Sequence, residues 1–189
     1  MRLFAAVIPP DPAIDELGLA VDRLHALPGA DELRWTGRPG WHFTLAFMGE
    51  VDEDLMPDLT RRLGRAAARQ DSFPLRLHAG GRFGQRALWV GAAGGLDDMR
   101  RLAERADAAA RRAGVAMEEH RAYKAHLTIA RTRLGTTTDL RPYVDALVDF
   151  EGAAWTVGEL ALVRSNLPGG GVLGKKPRYE TVASWPLGH

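Results

Sequence analysis

The sequence predicts an α+β fold in which two similar lobes share a central cleft. Strand-like and helix-like segments are mixed along all 189 residues with short connections, and no low-complexity linker divides them. One five-residue pattern (His, apolar, Thr, apolar, Ala) occurs once in each half, at residues 42–46 and 126–130. The repeat of one strand per half predicts two related lobes within a single domain of residues 1–189.

The composition is that of an ordinary globular protein. Hydrophobic residues make up 46% of the chain, which is enough for a core. The formal net charge is +1, so any role in nucleic-acid binding has to rest on a local patch. No stretch approaches the ~20 apolar residues of a membrane span. There is no cysteine, which excludes disulfides and a cysteine nucleophile and suits a cytoplasmic location.

The first half of the chain predicts two helices and three strands. The apolar run 3–8 predicts a buried strand rather than a signal peptide, because it is short and two prolines end it. A helix then begins with Asp11 as N-cap and Pro12 in its first turn, and it ends before Pro28 and Gly29. The other expected elements are a short strand at 33–36, a turn at 37–40, the first motif strand at 41–48 and a helix at about 52–70.

The second half continues the same mixture. Strands are expected at 73–79 and 87–92, joined by the glycine-rich connection 80–84. A helix at about 96–113 ends near Gly114, and residues 115–117 are strand-like. The other expected elements are the second motif strand at 126–131, a short helix at about 139–147, and strands at 159–165 and 179–185 joined by a glycine-rich loop.

Each motif histidine is expected to share a strand face with the threonine two residues later, because side chains of a strand alternate between faces. Strict alternation places the following residues towards the core: Phe43, Leu45, Phe47, Leu127 and Ile129. It places these on the opposite face: His42, Thr44, Ala46, Met48, His126, Thr128 and Ala130. Two imidazoles and two hydroxyls in one cleft would hold an anion and transfer two protons, and the small alanines would leave room for a ligand.

Metal ligation is the alternative use of two histidines. Neither motif has a carboxylate or a third histidine at ligand spacing, and there is no His-x-x-x-His pair. His120 follows Glu118 and Glu119 just before the second motif, so a metal site there stays the less favoured alternative. We therefore expect no metal and no cofactor.

The paired His-x-Thr strands resemble the two-histidine (2H) phosphoesterase superfamily, and their surroundings resemble its bacterial RNA 2′,3′-cyclic phosphodiesterase (LigT-like) branch. The similarity covers essentially the whole chain. It includes the segments 2–10, 42–49, 81–84, 87–91 and 126–131, and the ending with Ser165, Gly174 and Tyr179–Glu180. The chain departs from that branch at Ala125, where proline is usual, and at Trp41, where a smaller aliphatic residue is common.

The resemblance implies two pseudo-symmetric lobes of antiparallel sheet flanked by helices, with a central active-site cleft. It implies metal-independent hydrolysis of RNA 2′,3′-cyclic phosphate ends to a 2′-phosphate, with His42 as general acid on the 3′-oxygen and His126 as general base. Thr44 and Thr128 would donate hydrogen bonds to the phosphate. Arg131 resembles a phosphate-contacting arginine, although strict alternation puts it on the core-facing side, so the strand must end or bulge there. The expected partner is an RNA or oligonucleotide with a cyclic phosphate end, and the expected state is a monomer.

Two alternative functions stay open at this point. The same histidines would serve a 2′,5′-linkage phosphodiesterase or an RNA ligase, which differ in what fills the cleft. A non-catalytic RNA- or nucleotide-binding module is the alternative from another class, although binding alone would not need both histidines. The near-neutral charge indicates that mainly the RNA terminus is held, with a modest salt dependence.

Outside the motifs, two further features bear on substrate binding. The glycine-rich basic loop 169–178 nearly matches a P-loop, but it lacks the Ser or Thr that would bind magnesium. Its cations Lys175, Lys176 and Arg178 are candidates to attract RNA phosphate. Candidate aromatic platforms for a base at the rim of the cleft are Trp35, Trp41 and Phe83.

Overall fold

The computed structural model describes residues 1–119, 121–166 and 177–188. In these residues the chain forms nine strands and four α-helices. Their order is β1 (Arg2–Val7), α1 (Asp11–Leu24), β2 (Leu33–Trp35), β3 (Phe43–Glu50), α2 (Met56–Ala68), β4 (Phe73–Phe83), β5 (Ala87–Gly94), α3 (Leu96–Arg112), β6 (Leu127–Thr132), α4 (Arg141–Ala146), β7 (Trp155–Val157), β8 (Glu159–Asn166) and β9 (Arg178–Pro186).

The strands form two antiparallel sheets. The first sheet has the order β3-β1-β8-β9, and the second has the order β2-β6-β5-β4-β7. The first motif therefore lies in one sheet, on β3, and the second motif lies in the other, on β6. This arrangement confirms the expected α+β fold of two antiparallel sheets flanked by helices.

Helices cover one face of each sheet and join both to a continuous apolar core. Helix α2 packs on β8 and β9 and α3 packs on β3, whereas α1 and α4 pack on β4. Tyr143 of α4 is 1% exposed and donates its hydroxyl to the Pro28 carbonyl at 2.9 Å, which ties α4 to the turn after α1. No helix in the described ranges is long and apolar enough to cross a membrane.

Three local expectations about the elements are wrong, and one strand was not expected. Residues 115–117 form no strand, because the Val115 N–H donates to the Ala110 carbonyl and closes the end of α3. The glycine-rich connection is part of β4, which pairs with β5 as far as Phe83. Strand β7 was not predicted, since three residues carry no periodic signal. The N-cap of α1 is Pro10 rather than Asp11, and the helix ends at Leu24.

A β-bulge interrupts the alternation of β3. The antiparallel register pairs Ala6 with Thr44 and Ala5 with Ala46, so Leu45 is an extra residue without an opposite partner. A second register shift follows at Met48, outside the motif. Directly opposed residues share a sheet face. Thr44 therefore lies on the same face as Ala6, and Ala46 lies with Ala5 on the core face.

Strand β6 contains the equivalent bulge at the equivalent motif position. Trp89 pairs with Thr128 and Leu88 pairs with Ala130, so Ile129 is the extra residue. Thr128 shares a face with Trp89, whereas Ala130 is fully buried beside Leu88 in the core. The two motif strands thus have the same backbone irregularity as well as the same sequence pattern.

The bulges overturn the expected orientation of several residues, because one extra residue shifts the phase of the side chains that follow it. Ala46, Met48 and Ala130 are buried in the core instead of lining the cleft. Phe47 is 45% exposed instead of buried. Arg131 lies opposite Ala87, which puts it on the cleft-facing side of β6.

The packing of Gly81 against Trp89 provides a test of this geometry. A Cβ at residue 81 would lie 2.2 Å from two carbons of the Trp89 indole ring, and that ring is 9% exposed. We expect Gly81→Ala to lower the free energy of unfolding by about 1–3 kcal/mol, because the ring or the strand has to move. Urea unfolding followed by circular dichroism measures this change.

Gly158→Ala is the matched control, since no atom lies within 4 Å of the Cβ it would add. It should leave the free energy of unfolding nearly unchanged. Equal destabilisation by the two substitutions would show that the indole does not pack on Gly81.

Candidate active site

His42 is held between two aromatic rings of the first sheet. It lies one residue before β3 and stacks on Phe4 of β1, with ring centroids 4.6 Å apart and planes at 26°. Tyr179 of β9 meets its ring edge-on at 5.3 Å. Phe4 belongs to a small apolar cluster on this face of the sheet, separate from the main core. The imidazole is therefore half-buried in an apolar surface at the cleft.

His126 has a similar environment in the second sheet. It lies one residue before β6, edge-on to Phe83 of β4 at 4.8 Å, with Trp89 of β5 at 6.1 Å. Its Nδ1 is 2.8 Å from the carbonyl oxygen of Lys124. A carbonyl only accepts hydrogen bonds, so Nδ1 carries the hydrogen and the neutral ring keeps its lone pair on Nε2.

Burial makes both histidines weaker bases than free imidazole. It lowers the pKa of His42 from 6.5 to about 4. It also lowers the pKa of His126, where the charges of Arg131 and Lys124 act in the same direction and the Lys124 carbonyl opposes them. Both rings are therefore neutral at pH 7 in the ligand-free protein, and an anion in the cleft would favour their protonation.

Arg131 connects the two halves of the site. Its positive charge acts on His126 of the second lobe. It also acts on Tyr179 of the first lobe, whose pKa burial raises and the charges of Arg131 and Arg2 lower. Since Tyr179 contacts His42, the Arg131 charge acts on the surroundings of both histidines. This shared charge supports the expectation of one cleft that contains both motifs.

The two motif threonines lie on the same faces as their histidines. Thr44 is opposite Ala6 and Thr128 is opposite Trp89, and both are half-buried. Neither hydroxyl is engaged with another protein group in the described ranges, so both can donate to a ligand. The cleft therefore offers two neutral imidazoles, two free hydroxyls and one guanidinium, a set suited to a phosphate group.

Several residues that shape this cleft were not predicted from the sequence. Phe4 lies in a run of apolar residues that gives no sign of which face each occupies. Arg2 lies over the Phe47 ring at 5.0 Å, and Lys124 lies over the Trp89 ring at 4.8 Å. A sequence signal was available for Lys124, which lies two residues before His126, but not for Arg2, which is distant from both motifs in the chain.

Of the three candidate aromatic platforms, only Phe83 is suitably placed among the described residues. It is 41% exposed and lies beside His126. Trp35 packs on His25 and donates its indole N–H to the Ala30 carbonyl at 2.8 Å. Trp41 is 4% exposed and donates to the Thr36 carbonyl at 3.0 Å. Both tryptophans are structural, so the stacking role expected of them is wrong.

The glycine-rich loop and the metal alternative can be followed only in part. Lys175 and Lys176 lie outside the described residues, as does His120, whereas Arg178 begins β9 and is exposed. Within residues 1–119, 121–166 and 177–188, no group of three or more His, Asp or Glu side chains lies close enough to hold a metal ion.

Residues 9–168 match the family model of the 2′-5′ RNA ligase superfamily. The chain belongs to this superfamily. The match includes both His-x-Thr strands and Arg131, and it confirms the resemblance to the two-histidine phosphoesterases.

Curated relatives of this superfamily member carry the name RNA 2′,3′-cyclic phosphodiesterase. The protein of Geobacillus stearothermophilus is 30% identical over 159 residues, which cover 81% of this chain and 47% of that protein. The protein of Aeropyrum pernix is 30% identical over 114 residues, which cover 54% of this chain and 63% of that protein. The chain therefore spans about half to two thirds of the length of these relatives.

Solved structures with the same fold cover the whole length of this superfamily member. LigT of E. coli in apo form superposes with a TM-score of 0.75 at 24% identity, covering 100% of this chain and 98% of LigT. The protein TT0787 of Thermus thermophilus superposes with a TM-score of 0.76 at 25% identity, covering 99% of this chain and 98% of that protein. E. coli LigT has also been solved in complex with 3′-AMP and with phosphate.

The buried His42 predicts a pH-dependent stability. Its pKa is about 4 when folded and 6.5 when exposed, so unfolding takes up a proton between these values and stability rises with pH across that window. The full effect is at most about 3 kcal/mol. His42→Gln removes the titrating group, and we expect it to flatten the fall in melting temperature between neutral pH and pH 5, measured by calorimetry.

His78→Gln is the control, because His78 is exposed on β4. It should keep the wild-type pH dependence. An equally steep fall in the wild type and the His42→Gln variant would show that His42 is not desolvated in the folded protein.

Proposed function

We propose that this protein hydrolyses RNA 2′,3′-cyclic phosphate ends to 2′-phosphates, using His42 and His126 and no metal ion. The observation that supports the proposal is that each sheet carries one His-x-Thr strand whose imidazole packs on aromatic rings, and that the charge of Arg131 acts on both His126 and Tyr179. The names of the curated relatives support the same substrate. An RNA-end partner, a monomeric state and a cytoplasmic location belong to the same proposal.

The reaction requires two proton transfers on opposite sides of phosphorus. Water attacks phosphorus and loses a proton to a base, while the bond to the ribose 3′-oxygen breaks and that oxygen gains a proton from an acid. The products are a 2′-phosphate and a 3′-hydroxyl. Histidines contributed by two facing lobes suit this in-line geometry better than two histidines on one strand would.

The surroundings of each histidine support distinct roles. The Lys124 carbonyl fixes the hydrogen of neutral His126 on Nδ1, which leaves Nε2 free to accept a proton from water as general base. His42 is the proposed general acid. Its pKa of about 4 means that it is unprotonated in the empty cleft, so the negative charge of the bound phosphate has to raise that pKa before the proton can be delivered.

The remaining polar groups are proposed to hold the phosphate. Thr44 and Thr128 would each donate a hydroxyl hydrogen bond to a non-bridging oxygen. Arg131 would neutralise the negative charge that develops in the transition state. Such stabilisation provides most of the catalysis in phosphoryl transfer. The bulge in β6 supports this role, because it turns Arg131 to the face of Thr128.

The first experiment follows a short RNA with a 2′,3′-cyclic phosphate end in excess EDTA. We expect the wild type to form the 2′-phosphate, and we expect His42→Ala and His126→Ala each to lower kcat by about 10²–10⁴-fold, since each loses one proton transfer. Chromatography of the products identifies the phosphate isomer.

His25→Ala is the control for a histidine away from both motif strands, since His25 follows α1 and packs on Trp35, and it should retain wild-type activity. Loss of wild-type turnover in EDTA that Mg²⁺ or Zn²⁺ restores would contradict the metal-free mechanism. Wild-type inactivity with and without metal would contradict the cyclic-phosphate substrate.

The acid and base roles can be separated with an activated substrate. A 4-nitrophenyl phosphodiester has an acidic leaving group that departs without protonation. We expect His42→Ala to lose much less activity on this ester than on the cyclic phosphate, whereas His126→Ala loses activity on both. Release of 4-nitrophenol is measured by absorbance, and equal losses in the two variants on the ester would contradict the assignment.

The name of the matching family model supports a second candidate function. A 2′,5′-linkage phosphodiesterase or an RNA ligase would use the same two histidines, and a 2′,5′-linked oligonucleotide distinguishes it from the proposed activity. A non-catalytic binding module predicts RNA affinity without turnover on either substrate.

A further inference from the structure

A groove lined by arginines runs between α2 and α3, away from the cleft. Trp185 of β9 packs against Gly64 of α2, whereas Tyr179 of the same strand faces His42. Helix α2 therefore covers the face of the first sheet that is opposite the cleft, and the groove, of about 490 Å³, lies on this helical layer. Its arginines are Arg62, Arg65, Arg69, Arg101, Arg105 and Arg112.

These positive charges are poorly matched by carboxylates. Arg62 pairs with Asp58 at 2.8 Å and Arg101 pairs with Asp98 at 3.6 Å. The other four arginines have no carboxylate partner in the part of the chain that the structure describes. The groove lining includes one described acidic residue, Glu104, and this residue is paired with Arg100 at 3.7 Å.

Arg105 gives a more specific sign that an acceptor belongs in the groove. Its Nη1 atom is buried and has no hydrogen-bond partner among the described residues. A buried N–H of a charged group without an acceptor is destabilising, because it has lost its hydrogen bonds to water and forms none with the protein. An anion in the groove would supply that acceptor and would also screen the mutual repulsion of the arginines.

The shape and the chemistry of the groove select among anions. Along α3, Arg101 and Arg112 are separated by about 16 Å at the rise of an α-helix, which is much longer than one phosphate group. The remaining described lining residues are alanines, namely Ala66, Ala108 and Ala109, so the described part of the lining offers no aromatic ring to stack on a base. Guanidinium groups bind phosphate oxygens in a bidentate manner.

We propose that the groove between α2 and α3 binds the phosphate backbone of an RNA strand without regard to its sequence. The choice of RNA among polyanions rests on the proposed function, in which RNA is the substrate. The net charge of +1 is a sum over the whole chain, so it does not reveal a local cationic surface such as this groove. Under this proposal the protein holds the body of the RNA as well as its terminus, in contrast to the modest salt dependence that the overall charge predicts.

The test measures binding to a short single-stranded RNA that ends in a 3′-hydroxyl, by fluorescence anisotropy at several salt concentrations. The groove variant is Arg65→Ala/Arg69→Ala/Arg112→Ala, which removes exposed side chains and keeps the partly buried Arg105. The control variant is Arg23→Ala/Arg76→Ala/Arg141→Ala, which removes the same charge from exposed positions outside the groove lining.

We expect the groove variant to bind the RNA about tenfold or more weakly at low salt. The slope of log K against log salt should fall by about 2, since each lost phosphate contact contributes about 0.7 for a single strand. The control variant should keep the wild-type slope. Melting temperatures verify that both variants are folded, and neither should change hydrolysis of a mononucleoside 2′,3′-cyclic phosphate.

The outcomes separate this proposal from the proposed function. If the wild type fails to hydrolyse cyclic phosphates but the groove variant alone loses RNA affinity, the proposed function is wrong and the groove proposal stands. RNA binding that is equal in the groove and control variants overturns the groove proposal whatever the activity. The groove proposal is also overturned if the groove variant loses binding to anionic lipid vesicles but binds RNA as the wild type does, because a membrane surface would then be the partner.

Discussion

An extra residue at the equivalent position of each motif strand determines which side chains beyond the motif threonine face the cleft. At Leu45 in β3 and at Ile129 in β6, the bulge lets the strand bury two successive apolar residues, Leu45 with Ala46 and Ile129 with Ala130. The residue after each alanine then returns to the cleft-facing side. Bulges beside functional sites re-aim side chains in this way. Without the bulge in β6, the Arg131 guanidinium would point into the core, where an unpaired charge is strongly destabilising.

The shared bulge also shows where the two lobes differ. The residue after the alanine is Phe47 in the first lobe and Arg131 in the second. The first lobe nevertheless has a cation beside Phe47, because Arg2 of β1 lies over the Phe47 ring. The charge of Arg2 also acts on Tyr179. The backbone is therefore pseudo-symmetric, whereas the side chains that would meet a phosphate are contributed differently by each lobe.

The geometry shared by the motif strands could be predicted from the sequence only up to the bulge. His42, Thr44, His126 and Thr128 precede the extra residue, so alternation places them correctly relative to each other. Side chains beyond it depend on pairing with β1 and β5, which a single strand does not encode. The groove could not be predicted from the sequence for a related reason. Arginines spaced three, four or seven residues apart along α2 and α3 are typical of solvated helix faces. Only the packing of the two helices shows that the two faces meet.

The separation of the proposed groove from the cleft is consistent with the chemistry of the histidines. Burial already lowers the pKa of His42 to about 4, and burial together with nearby cations lowers the pKa of His126. More positive charge at the cleft would make protonation of either ring still harder, because like charges within a few ångströms disfavour the charged form. On the far side of the first sheet, the arginines are separated from the imidazoles by a sheet and a layer of apolar side chains. The protein can then bind an RNA backbone strongly, while the charge of the substrate phosphate still determines whether the histidines are protonated.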